Sequence, residues 1–190
     1  MLGNGKQGIT LNNSQNITLK NVGNWTNFES SAGGAINNNQ GIITIADTSF
    51  TNNKASTNGG AFNNNAGIIN IIAENTAVKF ENNTINEESN AIYSENGKIS
   101  LNAYAENNII FSDKLTSDTT SVLNITATQT EESTVPENAS TNETIVINND
   151  MSGYKGDVNL YHGTIKIGEN GISMNRTLMF MVAHWILQTA

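Results

Sequence analysis

The stretch "GGAINNNQGIITI", Gly33 to Ile45, returns 26 residues later as "GGAFNNNAGIINI", Gly59 to Ile71, with its glycines, asparagines and isoleucines in place. A period in the range of roughly 20 to 50 residues marks units that cannot bury an apolar face alone and must stack on their neighbours. Within the repeat, Gly41, Gly67 and Gly97 each open an alternating segment, "GIITIAD", "GIINIIA" and "GKISLNA". Ile43, Ile69 and Ile99 correspond, as do Ile45, Ile71 and Leu101, with Thr44, Asn70 and Ser100 between them on the opposite face. That period of two predicts strands. One step back, Ile17 and Leu19 extend the column to a fourth unit.

Two further columns are legible. Phe50 and Phe80 each precede an asparagine pair, Asn52 with Asn53 and Asn82 with Asn83, and Phe111 continues the series loosely. The glycine pairs lead into Ile36 and Phe62, echoed without glycine by Asn90, Ala91 and Ile92. Three strand columns per unit predict a right-handed parallel β-helix, a solenoid of about five to seven coils over residues 7–172. Ile43, Ile45, Ile69, Ile71, Ile99, Leu101, Phe50 and Phe80 lie inside. Glycine pairs suit the corners of such coils, where the backbone turns and neighbouring coils approach closely. Asn37 to Asn39, set above Asn63 to Asn65 at a strand spacing of about 4.8 Å, can join their amides in a ladder. Alternatively they serve as turn formers that tolerate left-handed backbone.

Composition agrees with a packed solenoid. Of 190 residues 34 are Asn and only 14% are charged, yet the branched and aromatic residues recur at ordered intervals, unlike those of a disordered chain. A net charge of −8 with scattered Lys and Arg argues against a nucleic-acid partner. Without cysteine there is neither a disulfide nor a thiolate metal site. "MLGNGKQGIT" does not read as a secretory signal, which leaves either a cytosolic protein or a missing N-terminus.

"GGAI" at Gly33, "FTNN" at Phe50 and "GGAF" at Gly59 resemble the FxxN and GGA(I/L/V) repeats of polymorphic outer membrane proteins. More broadly, "ITLKNV", "LNAYAENNIIFSDKL" and "GDVNLYHGTIKIGENG" look like autotransporter passenger domains, the match running over residues 7–172. The resemblance implies a surface-exposed β-helix exported through a C-terminal outer-membrane barrel. It also implies a non-catalytic stalk or adhesin role toward host or neighbouring-cell surface molecules or extracellular matrix. The unpaired ends of a solenoid further predict end-to-end self-association. The chain as written shows neither an export signal nor barrel strands.

The alternative is a carbohydrate-active β-helix enzyme, a polysaccharide lyase or glycosidase, and the residue inventory disfavours it. Glycosidases need two carboxylates facing one bond, whereas Asp47, Asp113, Asp118, Asp150 and Asp157 look isolated along the chain. The sole arginine is Arg176, and His162 and His184 have no partner at motif spacing. No catalytic, cofactor-binding or metal-ligating residue is therefore expected, and no cofactor. Asn-x-Ser/Thr triplets such as Asn16 to Thr18 and Asn142 to Thr144 follow from the composition.

Residues 118–144, rich in Ser, Thr and Glu and holding the one proline, break the repeat. They read as one strand around Leu123 and Ile125 followed by a protruding loop. The tail, 173–190, carries the apolar run Thr177 to Gln188, too short to span a bilayer. Two readings compete for it: a short helix capping the solenoid, or the product of a frameshift near Ser173 to Arg176. In the frameshift reading, the neighbouring frame permits a Gly-Gly-Thr-Leu phrase like those of the coils.

Overall fold

The computed structural model describes residues 1–104, 107–125, 144–161, 164–167, 178–180 and 188–189. They form an all-β parallel solenoid of about five turns, with no helix among the described residues. The first face stacks Ile9–Asn12, Ile36–Asn39, Phe62–Asn65, Ile92–Glu95 and Leu115–Ser117. Next comes the isoleucine column: Ile17 pairs with Ile43, Ile43 with Ile69, Ile69 with Ile99, Ile99 with Leu123 and Leu123 with Val158. The third face carries the aromatic column, in which Trp25 pairs with Phe50, Phe50 with Phe80, Phe80 with Phe111 and Phe111 with Ile147. All three columns expected from the repeat are therefore faces of the solenoid.

Alternation decides which side chains enter. Ile43, Ile45, Ile69, Ile71, Ile99, Leu101, Phe50 and Phe80 are all fully buried, each contributing about 1.5–3 kcal/mol by burial. The rings of Phe50, Phe80 and Phe111 stack in sequence at 5.5 and 4.6 Å, with Phe62 edge-on to Phe50 at 4.5 Å. Such geometries add about 0.5–1.5 kcal/mol per pair beyond area. Between these in-pointing residues Thr44, Asn70, Ser100 and Asn124 align on the outer side.

A fourth, short side completes the early coils and has no counterpart among the expected columns. Glu29, Lys54 and Thr84 lie side by side on it, as do Ser30, Ala55 and Ile85. It ends in a hairpin, where Thr84–Ile85 turns back antiparallel onto Glu88–Ser89. In the next coil only Ser112, Asp113 and Lys114 join Asn108–Phe111 to Leu115–Ser117, so this side stops there.

The tail differs from the expected capping helix in its described parts. Leu178–Phe180 pairs in parallel with Val158 to Leu160, and Gln188–Thr189 with Lys166 and Ile167. A strand satisfies the open N–H and C=O groups of a sheet edge, which a helix laid across that edge leaves unpaired.

Candidate functional site

The corners explain what the repeated phrase is for. At Gly59 the backbone takes φ +54°, and a Cβ there would sit 1.7 Å from the Phe62 carbonyl oxygen. Gly60 has a different constraint: a Cβ would lie 2.3 Å from the Thr84 amide nitrogen and 2.7 Å from the Asn90 carbonyl oxygen of the next coil. One glycine turns the chain, and the other lets two coils touch.

Asn37, Asn38, Asn63 and Asn64 of the repeated phrase take the laddered role, and left-handed turns fall to other asparagines. Asn52, Asn82 and Asn96 adopt left-handed backbone at φ 55°, 58° and 50° and form turns. Asn38 Nδ2 instead donates to Asn64 Oδ1 at 3.0 Å, and Asn63 Nδ2 to Asn37 Oδ1 at 2.8 Å. A second ladder runs inside the aromatic corner, where Asn53 Nδ2 donates to Asn83 Oδ1 at 2.9 Å and Asn83 Nδ2 to Asp113 Oδ2 at 2.7 Å. Asp113, isolated along the sequence, is the third member of this column. Burial pushes its carboxyl up from the usual range, and the hydrogen bonds from Asn83 offset only part of that.

Asp47 and Asp118 hold backbone. Burial pushes Asp47 up, but hydrogen bonds from Asn75, Glu74 and Thr76 outweigh it and leave the group below its ordinary value. Its Oδ1 accepts the Glu74 and Asn75 amides at 2.8 Å, fixing the loop between two faces. Asp118 accepts the hydroxyls of Thr120 and Ser121 at 2.6 and 2.7 Å and the Asn96 amide at 3.1 Å. Desolvation opposes these bonds, yet they bring its carboxyl down to about 2. A depressed folded-state pKa gives stability above the unfolded value near 3.8 that disappears as pH falls toward 2. Asp118→Asn is therefore expected to melt below the wild type at pH 7, with the gap closing across that acid window. A pH-independent gap in thermal melts would remove the carboxylate from this role.

Two concavities flank the short fourth side. An open groove of about 770 Å³ crosses its outer surface, lined by Glu29, Lys54, Ser56, Thr84, Asn86 and Glu87 among others. A smaller notch of about 410 Å³ lies where that side stops, under the hairpin and beside Lys114, Thr116 and Ser152. Sequence reasoning missed both. The strands that build the groove, Lys54–Asn58 and the Glu29 to Ala32 segment, are small and polar without apolar alternation. The only hint was their constant place between the aromatic and the glycine pair.

Among the described residues no group of three His, Asp or Glu is arranged to hold a metal ion. No described helix is long and apolar enough to cross a membrane. Strand Val122–Ile125 stands where the sequence put it. His162, His184, Arg176 and positions 126–143 of the expected loop lie outside the described residues. Compared with protein-family models, curated proteins and solved structures, the chain matches none.

Proposed function

We propose that this chain is a non-catalytic, surface-exposed passenger-type solenoid serving as a stalk or adhesin. In this reading the parent protein anchors it through a C-terminal outer-membrane barrel. The observation that carries the reading is the coincidence of motif with coil. The residues of the GGA and FxxN phrases occupy equivalent stations in successive turns, Ile36 over Phe62, Phe50 over Phe80 and Asn53 over Asn83. Repeats of this kind build a rod that grows by about 4.8 Å per coil, and they present flat polar faces to host or neighbouring-cell molecules or matrix.

End-to-end association of copies belongs to this reading: among the described residues Ile9–Asn12 pairs only with Ile36–Asn39, and a second copy would stack on that strand. Immobilised on beads, the chain is expected to retain cultured cells or matrix proteins above an unrelated solenoid of equal charge. Retention no better than that control would overturn the adhesin role.

One observation favours a second reading, a carbohydrate-active enzyme: Glu29 and Glu87 both line the open groove. Release of soluble products from uronic or neutral polysaccharides, abolished by Glu29→Gln or Glu87→Gln, would establish it in place of the first.

A further inference from the structure

The open groove on the fourth side holds charge that the fold itself does not use. Glu29 and Lys54 are partners on adjacent strands, yet among the described residues no ion pair joins them. The Glu29 carboxylate turns instead toward the first coil, where a Cβ added at Gly5 would lie 3.7 Å from its Oε2. Glu87 stands at the opposite lip, on the hairpin. All three side chains are exposed, and among the described residues none makes an ion pair or side-chain hydrogen bond within the chain. Glu87 also sits in strained backbone. Asn86 and Glu87 form the two-residue turn of the hairpin at φ 47° and 72°, a turn whose second position favours glycine because left-handed backbone strains a residue with a Cβ. A carboxylate kept at that position, on the lip of a groove, points to a use for its side chain.

We infer that this groove docks an extended peptide segment of a partner protein in which one acidic residue lies between two basic ones. Across the strands the charge runs negative at Glu29, positive at Lys54 and negative at Glu87, so the complementary segment reads basic, acidic, basic. A purely basic segment meets Lys54 at the centre, and a purely acidic one meets a glutamate at each lip. Strands lie about 4.8 Å apart, and alternate side chains of an extended chain recur on one side at about 7 Å, a mismatch that flexible Arg and Lys stems absorb. Between the charges Ala55, Ser56 and Thr84 form a floor of small residues on which a backbone can lie close. The groove's volume of about 770 Å³ falls within the usual range for ligand sites.

The inference gives the adhesin reading a partner class and rests on that reading for its biological use. Heteronuclear NMR titration of the full chain at low salt with the peptide acetyl-Arg-Ser-Asp-Ser-Arg-amide is expected to shift the amides of Glu29, Lys54 and Glu87. Exposed ion pairs are individually weak, so Kd should be on the order of 1 mM and rise with salt. The reversed peptide acetyl-Asp-Ser-Arg-Ser-Asp-amide should bind several-fold more weakly. Glu87→Gly should weaken binding several-fold while raising the melting temperature, because it relieves the turn. Lys54→Glu should exchange the preference for that of acetyl-Arg-Ser-Arg-Ser-Arg-amide. Equal affinity for the first two peptides, no shift at the groove, or a lower melting temperature for Glu87→Gly would overturn the site. Polysaccharide cleavage lost in Glu87→Gly, without peptide binding, would overturn it in favour of the enzyme. Cell retention without peptide binding would sink the groove alone, and peptide binding without retention would sink the adhesin role alone.

Discussion

Asn83→Asp is expected to destabilise the protein at neutral pH by about 3–5 kcal/mol, a large share of the roughly 5–15 kcal/mol available to a folded domain. Asn83 is fully buried, and its backbone amide and Nδ2 both point at Asp113 Oδ2, at 2.9 and 2.7 Å. The substitution removes the Nδ2 donor and sets a second carboxylate against the first, so one must take up a proton. That proton is bound in the folded state and released on unfolding, so stability should recover as pH falls through the raised pKa of the pair. Urea melts at pH 7 and pH 4 give the comparison. Adding Asp113→Asn removes the second carboxylate but leaves the Phe50 carbonyl, which accepts from Asn83 Nδ2 at 2.9 Å, facing the new carboxylate, so only part of the loss should return. A single variant as stable as wild type at pH 7 would show that the ladder contributes nothing.

Gly60→Val is the other substitution with a large expected effect, about 4 kcal/mol or more. Every close neighbour of the new Cβ is backbone of the next coil: Thr84 N at 2.3 Å, Asn90 O at 2.7 Å and Asn83 C at 2.8 Å. No side chain can turn away, so two coils must part, and hydrogen exchange at the amides of Thr84 to Ile92 should accelerate. Gly23 provides the contrast, since its φ is +73° but nothing lies within 4 Å of a Cβ there. Gly23→Ala should cost only about 1–2 kcal/mol, the strain of a left-handed L-residue. Equal losses at both positions would mean that backbone conformation, rather than contact between coils, is what these glycines supply.

How much was legible follows from where the information lies. Ile43, Ile69 and Ile99 announce a buried strand column because a period of two and a spacing of one coil coincide in the sequence. Asn53 and Asn83 align in the sequence behind their phenylalanines, although the hydrogen bond that joins them is seen only once the coils stack. Asp113 gave no such signal, because it follows Phe111 by one residue fewer and is a carboxylate where the earlier coils carry an amide. The fourth side was silent for a different reason. Its strands pack small residues such as Ser30 and Ala55, and nothing in "ESSA" or "KAST" marks an inner face. The notch needed both failures at once, a lost glycine at Asn90 and a shortened connection at Asp113 and Lys114, which become neighbours only when the coils stack.

The inner amides are also oriented alike. In the inner rows Asn38 donates to Asn64, Asn64 to Ser94, Asn53 to Asn83 and Asn83 to Asp113, each toward the later coil, while Asn63 and Asn70 on the outer side donate back to Asn37 and Thr44. Dipoles aligned in this way polarise one another, so each inner row has an electrical direction along the axis, with Asp113 as the anion facing the positive end of one row. A copy added head to tail preserves that direction and a copy added head to head reverses it. Any filament this chain forms by stacking its coils should therefore be polar, with two unlike ends that grow at different rates.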